Sequence, residues 1–256
     1  MAYLSFTRNR EDVLIMRALQ EVEQGFYVDV GAFQPRTDSN TFALYRRGWR
    51  GLVVEPQAKL HDLWQRERPE DIMVGAAIGA TEGVAQFYEF TGREQNATTN
   101  ASVAAMHEAG GHAASCSTVP RASLTSLLER HRPSGEIHLL SVDVEGAEEE
   151  VLRGLDLRRF RPWLVVMEAT VPNRPQPNFA VWEPLLAEQG YDFAYFDAVN
   201  RFYLAEEHRD LQRHFAYPPC VWDDFLDYRI HEAREAACSA RDALAELRAS
   251  LRKLAE

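Results

Sequence analysis

The chain alternates short apolar runs, which are typical of buried strands, with segments whose apolar residues recur every three or four positions, which is typical of helices. Repeated strand–helix units place parallel strands in one sheet with helices on both faces, and two final strands joined by a short turn add one antiparallel strand. We therefore predict an α/β fold. The predicted strands are 26–30, 49–55, 72–78, 84–90, 137–142, 164–167, 191–196 and 201–204, and the predicted helices are 10–23, 38–47, 57–67, 124–131, 148–155 and 179–189.

Residues 91–117 interrupt this alternation. The segment is rich in Asn, Thr, Ser and Gly and shows neither the helical nor the strand period. Aperiodic polar segments of this length in compact domains are usually functional loops or disordered. We expect a long loop or lid here.

The chain from Asp223 onward follows a third pattern, an unbroken heptad repeat of apolar residues. Such a seam predicts a coiled-coil helix over 223–256 that joins copies of the chain, and the alternative is a helix packed on its own domain. We divide the chain into a domain at 1–222, with its core at 25–205, and this helix. Because the heptads run to the last residue, fusion to further domains stays open. The seam residues are Leu226, Ile230, Ala233, Ala237, Ala240, Leu244, Leu247, Leu251 and Leu254.

Charge and cysteine content narrow the class of protein. Lys and Arg total 28 against 39 Asp and Glu, for a net charge of −11. This acidity disfavours binding to nucleic acid, which depends mostly on basic residues. Three distant cysteines without a CxxC pair suggest reduced thiols. We find neither an apolar run long enough to span a bilayer nor a signal peptide, and we expect a cytoplasmic protein.

Two acids stand at the ends of the first two predicted sheet strands. Asp29 and Gly31 close the first strand, and Glu55 closes the second. An acid at the second position can accept hydrogen bonds from both ribose hydroxyls of an adenosine ligand, and Asp29 can face a positive group. S-adenosylmethionine has this shape; the alternative is a pair of surface acids. A nicotinamide cofactor fits less well, because Phe33 and Arg36 occupy positions where its glycine fingerprint would continue.

Further acids follow the predicted strand at 137–142. Asp143 and Glu145 are two positions apart, so in extended backbone both point to the same side. Two such carboxylates can share a proton, bind a divalent metal or provide a base. With Glu168 at the end of the next strand they could hold Mg²⁺. The alternative is that Asp143, Glu145 and Glu148 favour the N-terminus of the next helix.

Three sequence blocks together resemble the FkbM family of S-adenosylmethionine-dependent methyltransferases over roughly residues 25–205. They are YVDVGAFQPRTDSNT at 27–41, RGWRGLVVEP at 47–56 and LLSVDVEGAE at 139–148, the last followed by VLRG at 151–154. The resemblance implies a Rossmann-like class I methyltransferase fold and O-methylation, often of sugars in glycans or natural products. Many members have Asn and a further Gly where this chain has Phe33, Gln34 and Pro35, so the loop can close differently over the cofactor.

The resemblance also assigns roles to individual residues. It places Asp29 and Gly31 at the methionine and ribose end of the cofactor, Glu55 at the ribose, and Asp143 and Glu145 at the reaction centre. Apart from the resemblance, three polar residues, Ser39, Asn40 and Thr41, open the helix beside the first loop. Ser39 and Asn40 are expected to contact the cofactor, and the alternative is that the three residues cap the helix.

We therefore expect an S-adenosylmethionine-dependent O-methyltransferase that acts on a sugar hydroxyl of a glycan, polysaccharide or glycosylated small molecule. Asp143 and Glu145 are the expected catalytic residues, Asp143 also contacts the cofactor, and participation of Mg²⁺ stays open. The alternatives are an inactive methyltransferase-like scaffold oligomerised by its coiled coil, and a nicotinamide-dependent oxidoreductase. A protein side chain is a further conceivable acceptor.

Overall fold

Twelve strands and eight α-helices make up the described part of the computed structural model, which comprises residues 3–131 and 135–255. The strands are β1 (Tyr3–Ser5), β2 (Phe26–Val30), β3 (Arg50–Val54), β4 (Ile72–Val74), β5 (Ala77–Ile78), β6 (Gly83–Phe90), β7 (Ala114–Ala122), β8 (Leu139–Val142), β9 (Leu164–Glu168), β10 (Tyr191–Phe196), β11 (Asn200–Ala205) and β12 (Phe225–Asp227). The helices are α1 (Glu11–Ala18), α2 (Phe42–Arg46), α3 (Ala58–Glu67), α4 (Ala101–Ala109), α5 (Leu124–His131), α6 (Glu148–Arg153), α7 (Glu183–Ala187) and α8 (Tyr228–Ala255). Short 3₁₀ helices cover Glu94–Asn96, Phe179–Val181, Glu206–Phe215 and Val221–Asp223.

Seven of the strands form one sheet in the order β10-β11-β9-β8-β2-β3-β4. Strand β11 is antiparallel to both of its neighbours, and the other pairs are parallel. The chain passes from β2 outward to β3 on one side, and β8 lies on the other side. The strand order therefore reverses between β2 and β8, and ligands in open α/β sheets bind at such a point. The predicted α/β fold with one antiparallel strand is confirmed.

Both faces of this sheet are covered, and β2 is buried along its whole length. Val28 and Val30 pack with apolar residues of α5, α6 and α7 on one face. Tyr27 packs on the other face with Trp49 and with Trp64 of α3. Burial on both faces explains why the central strands have continuous apolar runs rather than alternating ones.

The prediction of a long loop at 91–117 is wrong. This segment contains a 3₁₀ turn, α4 and the start of β7, and β7 pairs with β5 and β6 in a separate three-stranded sheet. Asn100 caps α4, because its Oδ1 accepts the backbone N–H groups of Ser102 and Val103 at 2.9 and 3.3 Å. The sequence shows no helical period in α4, because its residues are mostly small, and no strand alternation in β7, because its residues are mostly polar and exposed. The predicted strand 72–78 is also two strands, β4 and β5, in different sheets.

The first strand lies beside the last one. β1 pairs in parallel with β12, with Leu4 opposite Leu226. Helix α8 therefore begins at Tyr228 rather than at the predicted Asp223, and Leu226 belongs to a strand. The Tyr228 ring stacks on Phe6 at a centroid distance of 5.2 Å. The predicted seam residue Leu254 lies outside the described side chains. None of the helices within the described ranges is long and apolar enough to cross a membrane.

Candidate active site

The carboxyl ends of β2, β3 and β8 are joined at one point. Gly31 has φ +77°, and a Cβ there would lie 1.7 Å from the carbonyl oxygen of Asp143. Its N–H donates to Val54 O at 3.0 Å, and the N–H of Asp143 donates to Val30 O at 3.0 Å. Only glycine combines this backbone conformation with this close approach. The two loops are therefore held in contact at the switch point of the sheet.

A continuous cleft opens at this edge and has two parts. The first, which we call the apolar cleft, has a cavity volume of about 50 Å³ and is lined by Val54, Pro56, Ile78, Phe87 and Glu55 among others. The second, which we call the polar chamber, is larger, with a cavity volume of about 280 Å³. Its distinct lining includes Arg8, Asn9, Glu11, Asp29, Asp38, Ser39, Asn40, Glu168, Asn173 and Asn200. Gly31, Phe33, Gln95, Asp143 and Glu145 line both parts.

Glu55 lies buried in the lining of the apolar cleft. Its carboxylate accepts the backbone N–H of Phe33 at 2.9 Å and that of Gln57 at 2.8 Å. Burial raises the pKa of Glu55 to about 7, against the lowering effect of these two bonds. Trp64 Nε1 donates to Phe33 O at 2.8 Å, so α3 also holds the loop that contains Phe33. A carboxylate held in this way keeps lone pairs available for hydroxyl donors in the cleft.

Asp29 and the following loop form one wall of the polar chamber. Thr41 Oγ1 donates to Asp29 at 2.6 Å, and burial raises the pKa of Asp29 to about 6. Asn40 Nδ2 donates to Ser141 Oγ at 3.0 Å, so the loop is attached to β8. Thr41, at the position before α2, makes no side-chain cap. The structure thus brings the predicted residues Asp29, Ser39 and Asn40 to the same chamber.

Asp143 and Glu145 lie where the two parts of the cleft join, Glu168 lies beside them in the polar chamber, and we call the three acids the acid cluster. Asp143 and Glu168 lie close enough for each carboxyl group to shift the pKa of the other. Buried Oε2 atoms of Glu145 and of Glu168 have no hydrogen-bond partner within the described ranges. Asp143 is exposed, and it lines both parts of the cleft.

The electrostatics of the acid cluster follow from enclosure and mutual repulsion. Desolvation, followed by repulsion from Asp143, raises the pKa of Glu145 to about 9. Desolvation and then Asp29 raise the pKa of Asp143 to about 6. Burial and the neighbouring carboxylates hold the pKa of Glu168 well above its ordinary value. Such a site favours a positive group, because a cation would stabilise the ionised carboxylates.

The backbone that presents Glu145 is not the extended one that the sequence argument assumed. Glu145 has φ +54° and Gly146 has φ +94°. Thr98 Oγ1 donates to Glu145 O at 2.8 Å, and Asn100 Nδ2 donates to Gly146 O at 2.7 Å, so the segment before α4 holds this turn. Asp143 and Glu145 still reach the same cleft, but through a turn rather than a strand.

The geometry of the acid cluster does not form a metal-binding site. Among the residues that the structure describes, no group of three His, Cys, Asp or Glu side chains is arranged to hold an ion. The suggested Mg²⁺ ligands Asp143, Glu145 and Glu168 therefore receive no support as a set. The alternative for these acids, a role at the N-terminus of the next helix, applies to Glu148, which lies in the first turn of α6 and accepts the Gly146 N–H at 3.0 Å.

A buried ion pair supports the loop after β2. Arg68 is fully buried and pairs with buried Asp71 at 2.7 Å. Arg68 also donates to Tyr27 OH at 2.6 Å, to Thr41 Oγ1 at 3.0 Å and to Ser39 Oγ at 3.3 Å. This ion pair therefore fixes the loop that carries the chamber wall. The sequence has no signal for it, because the charged stretch 65–71 is typical of a surface.

The far wall of the polar chamber also went unnoticed. Glu11 is buried, accepts the Asn200 side-chain amide at 2.9 Å and accepts the Asn9 N–H at 3.0 Å. Burial raises the pKa of Glu11 to about 7. Residues 8–11 reach this wall because the first strand folds back against β12. No local pattern reveals a contact between segments so far apart in sequence.

Comparison with known proteins agrees with the resemblance noted in the sequence. No curated protein matches the chain. The methyltransferase FkbM domain matches residues 29–193, which include the predicted residues of the cleft from Asp29 to Glu168. Arg8, Asn9, Glu11 and Asn200 lie outside the matched region. Since the match covers well over half of its length, the chain belongs to the methyltransferase FkbM family.

Proposed function

We propose that the protein is an S-adenosylmethionine-dependent O-methyltransferase that acts on a sugar hydroxyl. The observation that supports this most is the continuity of the two parts of the cleft. A narrow apolar cleft with a buried acid opens, at the acid cluster, into a wide polar chamber. A cofactor and an acceptor can therefore meet at the carboxylates.

The sheet supports a Rossmann-like class I arrangement. Five parallel strands, β4-β3-β2-β8-β9, are extended by a hairpin whose second strand, β11, lies between β9 and β10. The cleft lies at the carboxyl edge where the order reverses. Methyltransferases of the family generally use S-adenosylmethionine, and its parts fit this edge.

The apolar cleft suits an adenosine without phosphates. Ile78, Phe87 and Pro56 offer apolar surface to a base, and Glu55 offers carboxylate oxygens to ribose hydroxyls. Among the described residues that line this cleft there is no Lys or Arg. A dinucleotide would leave its phosphates unpaired there, which argues against the oxidoreductase alternative.

The acid cluster suits the charged end of the cofactor. The buried oxygens of Glu145 and Glu168 that lack partners can be compensated by a positive group. S-adenosylmethionine supplies an activated methyl group on a positively charged sulfur. The fit of S-adenosylmethionine to this site therefore depends on carboxylate oxygens of Glu145 and Glu168 that lack hydrogen-bond partners among the described residues, and it needs no metal ligands.

The same acids can handle the proton of the acceptor. A sugar hydroxyl is a weak nucleophile at neutral pH, and a carboxylate that accepts its proton strengthens it. Asp143 is accessible from the cleft and has the lower pKa of the pair with Glu145, so Asp143 is the favoured proton acceptor. Glu168 lies beside Asp143 and lowers its pKa, which favours the ionised form of Asp143.

The chamber wall suggests the class of acceptor. Asn9, Asn40, Asn173 and Asn200 line it together with carboxylates. Amides and carboxylates match the closely spaced hydroxyls of a sugar, whereas the net charge of −11 disfavours a polyanion such as nucleic acid. We therefore favour a glycan, a polysaccharide or a glycosylated small molecule. The three free cysteines are compatible with the proposed cytoplasmic location.

Calorimetric titration with S-adenosylmethionine and S-adenosylhomocysteine tests the cofactor. We expect micromolar binding that is weakened at least tenfold by Glu55→Gln, equivalent to about 1.4 kcal/mol. The matched control is Glu82→Gln, because Glu82 is an exposed acid outside the cleft. Absence of binding would favour the inactive scaffold, and tight binding of NADH in a parallel fluorescence titration would favour the oxidoreductase.

Transfer of a labelled methyl group tests the acceptor. We expect transfer to a panel of sugars and nucleotide sugars but not to RNA, with kcat lowered about a hundredfold or more by Asp143→Asn. Cofactor binding together with transfer only to protein would contradict the sugar proposal while leaving the methyltransferase intact.

A further inference from the structure

Helix α8 leaves the domain and continues into solvent. Its first residue, Tyr228, is buried against Phe6, whereas every described position from Ala233 onward is exposed. The helix has 28 residues and is therefore about 42 Å long at 1.5 Å per residue. Most of it has no packing partner within the described part of the chain.

The face of α8 that meets the domain is opposite to the heptad seam. His231 and Glu232 are half-buried, and Glu232 pairs with Arg36 of the loop beside the cleft. In the heptad notation, Ile230 occupies position a and Ala233 position d, so His231 and Glu232 occupy b and c. Positions b and c lie diametrically across the helix from a and d. The alternative that the seam packs on its own domain is therefore wrong for the described residues.

The seam is apolar and accessible. Ile230 is 53% exposed, Leu244 47%, and Leu247 and Leu251 each 57%. Exposed Val221, Trp222 and Leu226 lie just before α8. Among the side chains that the structure describes, thirteen large apolar ones are exposed, and seven of these belong to residues 221–251. Contiguous apolar surface of this kind marks an interaction site rather than a solvated helix.

The charges beside the seam distinguish between orientations. Position e holds an arginine in three successive heptads, Arg234, Arg241 and Arg248. In an antiparallel pair e faces e, so these three arginines would oppose one another. In a parallel pair e faces g, where Ala236 and Ala243 face Arg241 and Arg248. The small alanines leave room for the arginine stems to cover the seam.

A single like-charged contact remains in the parallel arrangement. Arg234 would face Arg229 of the next chain. Arg229 is already paired with Asp38 of its own domain and lies over the Tyr228 ring. Its charge is therefore largely compensated before any association. The parallel arrangement is favoured.

We propose that α8 joins at least one further copy of this chain in a parallel coiled coil, through the seam from Ile230 to Leu251. The domains then lie at the same end of the coiled coil and on its outside, because each domain contacts the b and c face of its own helix. This inference depends on α8 alone and stands apart from the proposed methyltransferase activity.

The mass of the full chain in solution tests the association. Sedimentation equilibrium at micromolar concentration is expected to give two or three times the chain mass of 29.2 kDa. Leu244→Glu with Leu251→Glu should give the single-chain mass. Ser239→Glu with Ala245→Glu adds the same charge on the opposite face and should leave the assembly unchanged. An unchanged melting temperature of the domain shows that neither pair acts through unfolding.

Disulfide cross-linking tests the orientation. In a chain whose three cysteines are replaced by serine, Leu247→Cys places a thiol at position d, where a parallel pair brings identical residues within disulfide range. Oxidation should cross-link Leu247→Cys efficiently and Ala245→Cys, at position b, at least tenfold more slowly. A single-chain mass for the unaltered protein, equal rates for the two cysteine variants, or no cross-link at Leu247→Cys would overturn the proposal.

Discussion

Replacement of Arg68 by methionine is expected to destabilise the protein more than the loss of any surface arginine. The guanidinium is fully buried and lies 2.7 Å from Asp71, whose side chain is equally buried. Methionine keeps much of the length and the contact with the Trp64 ring but removes the charge. Asp71 would keep hydrogen bonds from Tyr27 OH at 2.7 Å and from Gly51 N at 2.9 Å, with no cation beside it.

The magnitude follows from that uncompensated carboxylate. Removal of one partner of a buried ion pair costs about 3–5 kcal/mol. For a protein of this size 1 kcal/mol corresponds to about 2–4 °C in Tm, so Arg68→Met should lower Tm by about 6–20 °C. The double variant Arg68→Met with Asp71→Asn should be more stable than the single one, because no isolated charge stays buried.

Thermal and urea denaturation of the purified variants measure the effect. Arg153→Met is the matched control, because Arg153 pairs with Glu149 at 2.7 Å on an exposed helix surface and such pairs contribute about 0–1 kcal/mol. A loss below about 1 kcal/mol for Arg68→Met would refute the reasoning, since that is the range of a solvated pair. So would a double variant less stable than the single one.

Three further predictions concern the site. Gly31→Ala should cost more than the about 1–2 kcal/mol of a left-handed residue, because Asp143 O must also move, and a melting temperature near that of the unaltered protein would contradict this. Burial raises the pKa of Glu145 from 4.5 to about 9, so this group stabilises the unliganded fold fully below pH 4.5 and loses that effect as the pH rises to about 9. The free energy of unfolding, measured by denaturation across this pH range, should therefore decline less steeply for Glu145→Gln than for the unaltered protein. An equal decline would exclude the raised pKa of Glu145. Methyl transfer should persist in EDTA because no three-ligand set was found among the described residues, and a loss that Mg²⁺ restores would reverse this conclusion.

The sequence was sufficient to predict the bounds of elements whose apolar residues follow a clear pattern of burial. Strand 26–30, helix 124–131 and strand 191–196 were predicted with the bounds that the structure has. The convergence of the acids on one edge was also predictable, since Asp29 lies near the end of its strand, Glu55 and Asp143 directly follow theirs, and the three strands are parallel.

The features that the sequence did not predict have weak local patterns or depend on contacts between distant segments. Helix α4 has only Ala104 and His107 buried, so its period is too weak to detect. Arg68 is buried because three separate segments supply its acceptors. The chamber wall at Glu11 depends on Asn200, 189 positions further along the chain.

The pairing of β1 with β12 has a consequence for synthesis on the ribosome. Leu4 emerges first, but its partner Leu226 is 222 positions later. At about 5–20 residues per second the first strand waits roughly 10–45 s for that partner. During this time the sheet from β2 to β11 can form, whereas residues 8–11 are not yet held by β12. A nascent chain can thus complete the apolar cleft before the wall of the polar chamber at residues 8–11 is held in place, and a chaperone or protease would meet a domain with an unfinished chamber.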